Sequence, residues 1–193
     1  MRPNKREELV SKALTVFYQN GFHATGMDRL VAETGISKTS MYKHFRTKDE
    51  LILAALRLRD ERFRNWFMRR VEELAVAPRD RLLAVFDVLG EWINLDEFKG
   101  CMFIKASAEF QDRSHPIHVQ STEHKRLVYD YLSGIAAQAG ARDPEQLACQ
   151  LMILKEGAIV SAILNVGCDV VVQSKAAAKA LIDQALASPP PTH

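Results

Sequence analysis

The sequence predicts an all-α fold of about nine helices. Three observations point there. Apolar residues recur at helical spacing along nearly the whole chain. Glycine and proline fall at the borders of those stretches rather than inside them. No alternating, strand-like run of any length occurs, and no repeat of fixed period is visible. The 193 residues are 47% hydrophobic and 26% charged, a globular balance that excludes a disordered or fibrous chain.

The first helix opens at Asn4, a capping residue, with Glu7 three positions on to complete a capping box. Glu7 and Glu8 sit at the positive end of its dipole. Val10, Ala13, Leu14 and Phe17 form its apolar stripe, and Asn20-Gly21 stops it. The second helix is short: Thr25 is its expected cap, Met27, Leu30 and Val31 point inward, and Gly35 ends it. The third follows at once, capped by Ser37, with Ile36 able to staple onto Met41 and with Met41 and Phe45 inward. The fourth starts in a second capping box, Thr47 to Glu50, and runs through Leu51, Leu53, Ala54 and Leu56 to about Val76, before Pro78. Five further helices are expected over about 79–93, 100–111, 117–139, 144–166 and 174–187, the fourth of these opened by Asp143-Pro144. The tail, 188–193, holds three consecutive prolines and reads as extended and frayed.

The net charge of +2 hides an asymmetry. Residues 1–70 hold 15 Lys and Arg against 8 Asp and Glu, a net +7, so the remainder carries −5. A basic end on an acidic body suits a protein that presents one end to a polyanion, whether nucleic acid or an anionic membrane. The amino terminus has no apolar signal core, and no stretch reaches the roughly 18 apolar residues of a membrane span. Three scattered cysteines form neither a disulfide framework nor a zinc pattern; a reducing, cytoplasmic setting fits them best. Cys149 and Cys168 read as core. Cys101 follows Lys99-Gly100 and reads as a buried structural thiol, with an oxidant sensor as the alternative. His115 and His118 lack a third ligand, so no metal is expected, and no cofactor motif, nucleophile with its base, phosphate loop or acid pair indicates an enzyme.

The informative segment is Leu30 to Phe45. Two short helices joined by a three- to four-residue turn containing Gly35 make the helix-turn-helix pattern. In that motif the second helix enters the major groove with its first residues at the base edges. Its outward residues here are Lys38, Thr39, Ser40, Lys43 and His44, all able to meet bases or phosphates. Spacing alone leaves a second reading open, a short polar helix on the surface of an ordinary bundle.

The residues themselves go further. Gly21-Phe22, Ala24-Thr25, Leu30-Val31-Ala32, Gly35-Ile36-Ser37, Met41-Tyr42-Lys43-His44-Phe45 and Thr47-Lys48-Asp49-Glu50-Leu51 resemble, almost continuously over residues 5–56, the N-terminal domain of the TetR-like family of transcriptional repressors. The resemblance implies phosphate contacts from Tyr42, His44, Lys48 and Thr25, and base readout from Lys38, Thr39, Ser40 and Lys43. Gly26 stands where the family often has a second hydroxyl, and Arg2, Lys5 and Arg6 suit a basic arm reaching phosphate or minor groove, with simple fraying as the alternative. It also implies a division into a helix-turn-helix DNA-binding domain (1–47), a helical effector-binding and dimerisation domain (48–187) reached through the fourth helix, and the tail (188–193). The implied partners are a palindromic duplex DNA operator, a second copy of the chain and a small, largely apolar effector. A twofold dimer places its recognition helices roughly 34–36 Å apart.

For the second half the sequence supplies candidates. Phe63, Trp66, Phe67, Phe86, Leu89, Trp92, Phe103, Phe110, Tyr129 and Met152 are large apolar groups, roughly a third of them expected to line a ligand cavity and the rest to be core. The helices over 144–166 and 174–187 carry apolar stripes, Leu147, Leu151, Leu154, Ala158 and Ser161-Ala162 on the first, with Gly157 permitting close approach, and Ala177, Ala178, Leu181, Ile182 and Leu186 on the second; these suit either an internal core or a four-helix interface between two copies, and it is the family resemblance that implies the interface. The competing reading is a peripheral membrane or lipid-binding protein that uses the basic, aromatic segment 57–70. In the family reading that segment is the connecting helix, with solvated arginines and an Asp60–Arg64 pair one turn apart.

Overall fold

The computed structural model describes residues 4–187. They form nine helices and no strand: α1 (Lys5–Asn20), α2 (Met27–Thr34), α3 (Lys38–His44), α4 (Lys48–Leu74), α5 (Pro78–Ile93), α6 (Met102–Glu109), α7 (Pro116–Gln138), α8 (Pro144–Leu164) and α9 (Val170–Leu186). Arg2 and the proline-rich tail lie outside the described residues.

The helix ends follow their caps. At α1 the Glu7 amide donates to Asn4 Oδ1 at 2.9 Å and the Glu7 carboxylate accepts from the Asn4 amide, the reciprocal capping box. Lys5 and Arg6 do not form an arm. They lie in the first turn of α1, where the Arg6 guanidinium sits 4.8 Å from the centre of the Phe45 ring. The cap of α2 is Gly26, without a side-chain bond, rather than Thr25. The Thr25 hydroxyl is turned back to donate to Gly21 O at 2.6 Å. At α4, Thr47 Oγ1 accepts from the Glu50 amide at 3.2 Å, while the Glu50 carboxylate accepts from the Arg46 amide at 2.8 Å. α9 starts four residues before the expected 174, because Asp169 accepts from the amides of Val171 and Val172 at 3.2 and 3.0 Å and so seats three β-branched residues in the first turn.

The chain separates into two compact units. One runs to Arg64 and resumes from Cys101 to Lys125; the other takes Asn65–Gly100 and the described residues from Arg126 onward. The first unit holds α1 to α3, the opening of α4, α6 and the start of α7 around a core of Leu9, Ala13, Phe17, Phe22, Leu30, Met41, Phe45, Ile52 and Leu56, all 5% exposed or less. Each large side chain buried this fully contributes about 1.5–3 kcal/mol. In the second unit α8 and α5 both pack on α9 around Phe67, Phe86, Leu89, Leu147, Leu151, Ala178 and Ile182. Within the single chain no other element approaches Gly157, with nothing within 4 Å of where a Cβ would stand. The tight approach inside this unit is at Gly90 in α5, where a Cβ would meet Val171 Cγ1 at 2.8 Å. Cys149 and Cys168 are exposed and not core, because α8 turns the face bearing Cys149 away from the unit and Cys168 lies in the connection after it; Cys101 is buried.

Candidate nucleic-acid interface

α2 ends on Gly35, whose φ of +69° is the left-handed conformation that favours glycine, and the Gly35 amide donates to Val31 O. Thr34 Oγ1 donates to Leu30 O at 2.6 Å and accepts from the Ile36 amide at 3.2 Å, which fixes the turn from inside. Lys12 of α1 donates to Thr34 O at 3.0 Å, satisfying a terminal carbonyl of α2. Three residues, Gly35, Ile36 and Ser37, then separate α2 from α3. Ser37 caps α3 by accepting from the Ser40 amide at 3.2 Å.

Met41 and Phe45, 1% and 5% exposed, anchor α3 to the core. Its opposite edge carries Lys38, Thr39, Tyr42, Lys43 and His44, all exposed, with Ser40 half-buried beside them. Among the described residues the side chains of Thr39, Tyr42, Lys43 and His44 make no hydrogen bond. Their donors and acceptors are unspent within the chain. Lys38 meets Asp28 of α2 at 3.2 Å, but both groups are more than half exposed, so the pair is worth under about 1 kcal/mol and yields readily to a stronger anion. Lys43 and His44 also occupy the last turn of α3, where the helix dipole favours positive charge.

Two other predicted contacts are placed differently. Lys48 is half-buried, and its ammonium donates to Phe22 O at 3.0 Å and Thr25 O at 3.3 Å, so it ties α4 to the loop between α1 and α2. Thr25 is fully buried, with its hydroxyl committed to Gly21 O. The same loop is held from the other side by a residue sequence reasoning missed. The Glu109 carboxylate, at the end of α6, accepts from the Phe22 amide at 3.1 Å and from the His23 amide at 2.6 Å. Nothing in a lone acid 86 positions away signals such a contact.

The apolar candidates divide between the units. Phe63, Phe103 and Phe110 belong to the first; Trp66, Phe67, Phe86, Trp92, Tyr129 and Met152 belong to the second. Phe63, Phe67, Phe86, Trp92, Phe103 and Phe110 are buried, while Trp66, Tyr129 and Met152 are half-buried. Clefts of about 320, 480 and 790 Å³ in the described residues are lined by other side chains. The arginines of α4 are not uniformly solvated. Arg57, Arg62 and Arg69 are exposed, but Arg59 and Arg64 are partly buried. Arg64 forks onto Asp60 with bonds of 2.8 and 2.9 Å, as the spacing predicts. The other partner of Asp60 is unforeseen: His124, 2% exposed, stacks on Phe103 with ring centres 3.7 Å apart, and its Nδ1 lies 2.7 Å from Asp60 Oδ1. Burial opposes ionisation of Asp60, yet the bonds from His124 and Arg64 outweigh it and hold the carboxyl down at about 2.

A glycine turn fixed from inside by Thr34, a second helix anchored on one edge and an unspent cationic, hydroxyl-bearing edge on the other define a helix-turn-helix regulator. The chain belongs to the TetR family: residues 9–55 match the profile of bacterial regulatory proteins of the tetR family, and residues 78–167 match that of the tetracyclin repressor-like C-terminal domain. A TetR-family transcriptional regulator from Streptomyces coelicolor is similar in structure, with a TM-score of 0.86 and 28% identity over 94% of this chain and 96% of that one. Among curated proteins the chain is 22% identical to the transcriptional regulator YjdC of Escherichia coli K12, over 83% of this chain and 84% of that one. It is 29% identical to the transcriptional repressor NemR of the same strain, over 66% and 65%.

Proposed function

We propose that the protein is a dimeric, sequence-specific repressor that a small, largely apolar effector releases from a palindromic operator. The observation that carries the reading is the outward edge of α3. Lys38, Thr39, Ser40 and Lys43 are its base-reading residues, and Tyr42, His44 and Lys48 its phosphate contacts. Lys48 has two bonds to the loop and one N–H left for a phosphate. Thr25 contributes by holding that loop, and its hydroxyl reaches a phosphate only after leaving Gly21 O. Residues 1–47 are the DNA-binding part and 48–187 the regulatory part. The repressor sense is supported by the likeness to NemR, which carries that name.

Dimerisation is supported by α8 and α9, though through other side chains than the spacing suggested. Leu147, Leu151, Ala158, Ala178 and Ile182 are spent inside the chain's own core. The face left uncovered carries Cys149, Ile153, Gly157, Val160 and Leu164 of α8, one turn apart in succession, with Val172, Ala176 and Ala180 of α9. Ile153 and Leu164 are 66% and 68% exposed, an arrangement whose energetic logic is a second copy. By length and composition α8 is also apolar enough to cross a membrane. A subunit interface accounts for that uncovered face without a bilayer. Likewise Phe63 and Phe67 are buried and Trp66 is half-buried, so the segment 57–70 exposes little of the aromatic face a lipid surface needs.

The test uses a duplex containing a palindrome from the gene's own promoter. The full chain should bind it with an affinity that falls steeply as salt rises, and a scrambled duplex should bind far more weakly. Binding to anionic liposomes without preference for the palindrome would refute the reading.

A further inference from the structure

Arg59 has an environment unlike that of any other arginine on α4. Its guanidinium lies 5.0 Å from the centre of the Tyr18 ring and 5.5 Å from that of Phe63. Among the described residues it makes no hydrogen bond and no ion pair, whereas its helix neighbour Arg64 is forked onto Asp60. No buried side-chain nitrogen in the described residues lacks a partner, so the unbonded Arg59 nitrogens reach open space. Other cations converge on the same place. The Lys105 ammonium is 5.5 Å from the centre of the Tyr18 ring, and that of Lys125 is 3.3 Å from Cys101 Sγ. Burial is the main influence on Arg59 and lowers its pKa, the sign of a cation desolvated without a carboxylate to compensate it. The aromatic rings hold the stem and faces of the guanidinium, leaving its edge, with paired N–H donors, as the free recognition element.

We propose that Arg59 is the carboxylate-binding subsite of the effector site, with Lys105 and Lys125 supplying supporting positive potential and Tyr18 and Phe63 the apolar walls. The ligand class is a small organic acid: one carboxylate to pair bidentately with the guanidinium, and an aryl or alkyl body to lie on the rings. The proposal rests on the effector reading above and narrows it, from a small, largely apolar effector to an amphipathic monocarboxylate. Pairing a partly desolvated, unpaired cation gives the anion a selective advantage that a neutral isostere of the same shape does not share.

The experiment is calorimetric titration of the full chain, without DNA, with phenylacetate, hexanoate, their neutral amides and inorganic phosphate. At least one acid should bind about 10- to 100-fold more tightly than its amide. Arg59→Gln should abolish that preference while leaving amide binding unchanged, and Arg59→Lys should retain part of it. Circular dichroism melts verify that each variant folds; should Arg59→Gln fail to fold, the partial loss in Arg59→Lys carries the test. Equal binding of acid and amide, no binding of either acid, or a preference that survives in Arg59→Gln would each overturn the proposal. So would phosphate binding as tightly as the acids, which would mark a general anion site. An acid that binds through Arg59 yet leaves operator occupancy unchanged would refute the effector reading alone and leave the subsite standing.

Discussion

Replacing Asp60 by asparagine removes one charge from a buried cluster and keeps its shape. The carboxyl is 6% exposed in terms of its residue and sits between His124 and Arg64. Those partners hold it at about 2, against an ordinary 3.8. At roughly 1.4 kcal/mol per unit, a depression of this size stabilises the folded chain by about 2 kcal/mol. The sign follows from the direction. A carboxyl depressed on folding contributes fully above its unfolded value near 3.8, and the contribution is lost as pH falls from there through about 2. Asp60→Asn should therefore cost about 2 kcal/mol at neutral pH, or about 4–8 °C in Tm for a chain of this size. The gap between variant and wild type should then close between pH 4 and pH 2. Urea unfolding of both proteins across that range measures it, with the highly exposed Asp28→Asn as a control expected to stay within about 0.5 kcal/mol. A gap that stays constant from pH 6 to pH 2 would show that packing rather than charge is responsible, and no gap at neutral pH would refute the reasoning outright.

Two further outcomes are expected. Lys38→Ala should relax sequence preference on duplex DNA, whereas Lys48→Ala should weaken all sequences alike and lower stability by about 1 kcal/mol through the lost bonds to Phe22 and Thr25; competition binding on matched and scrambled duplexes separates the two. Glutamate at both Ile153 and Leu164 should leave the chain folded but monomeric by light scattering, because those positions are exposed in the single copy.

The sequence made the front of the molecule legible because local signals and global role coincide there. Asn4, Ser37 and Thr47 each cap a helix, Gly35 takes the left-handed turn, and Met41 and Phe45 anchor α3. The back was harder for a definable reason. α8 is apolar nearly all the way round, so no polar stripe tells the core face from the uncovered one, and Leu147, Leu151 and Ala158, read from spacing as interface residues, are buried within the chain itself. α9 starts earlier than 174 because the cap at Asp169 overrides the weak helix preference of three β-branched valines. Contacts between distant positions, Asp60 with His124 and Glu109 with the amides of Phe22 and His23, carry no periodic signature.

The grip of Glu109 on two successive amides has a mechanical corollary. α6 is only eight residues long, about 12 Å of stiff rod, with Cys101 at its head and this carboxylate at its foot. For as long as those bonds hold, the bend that precedes α2 and the end of α6 move as one piece, and a shift that exceeds what the Glu109 side chain can absorb must break them.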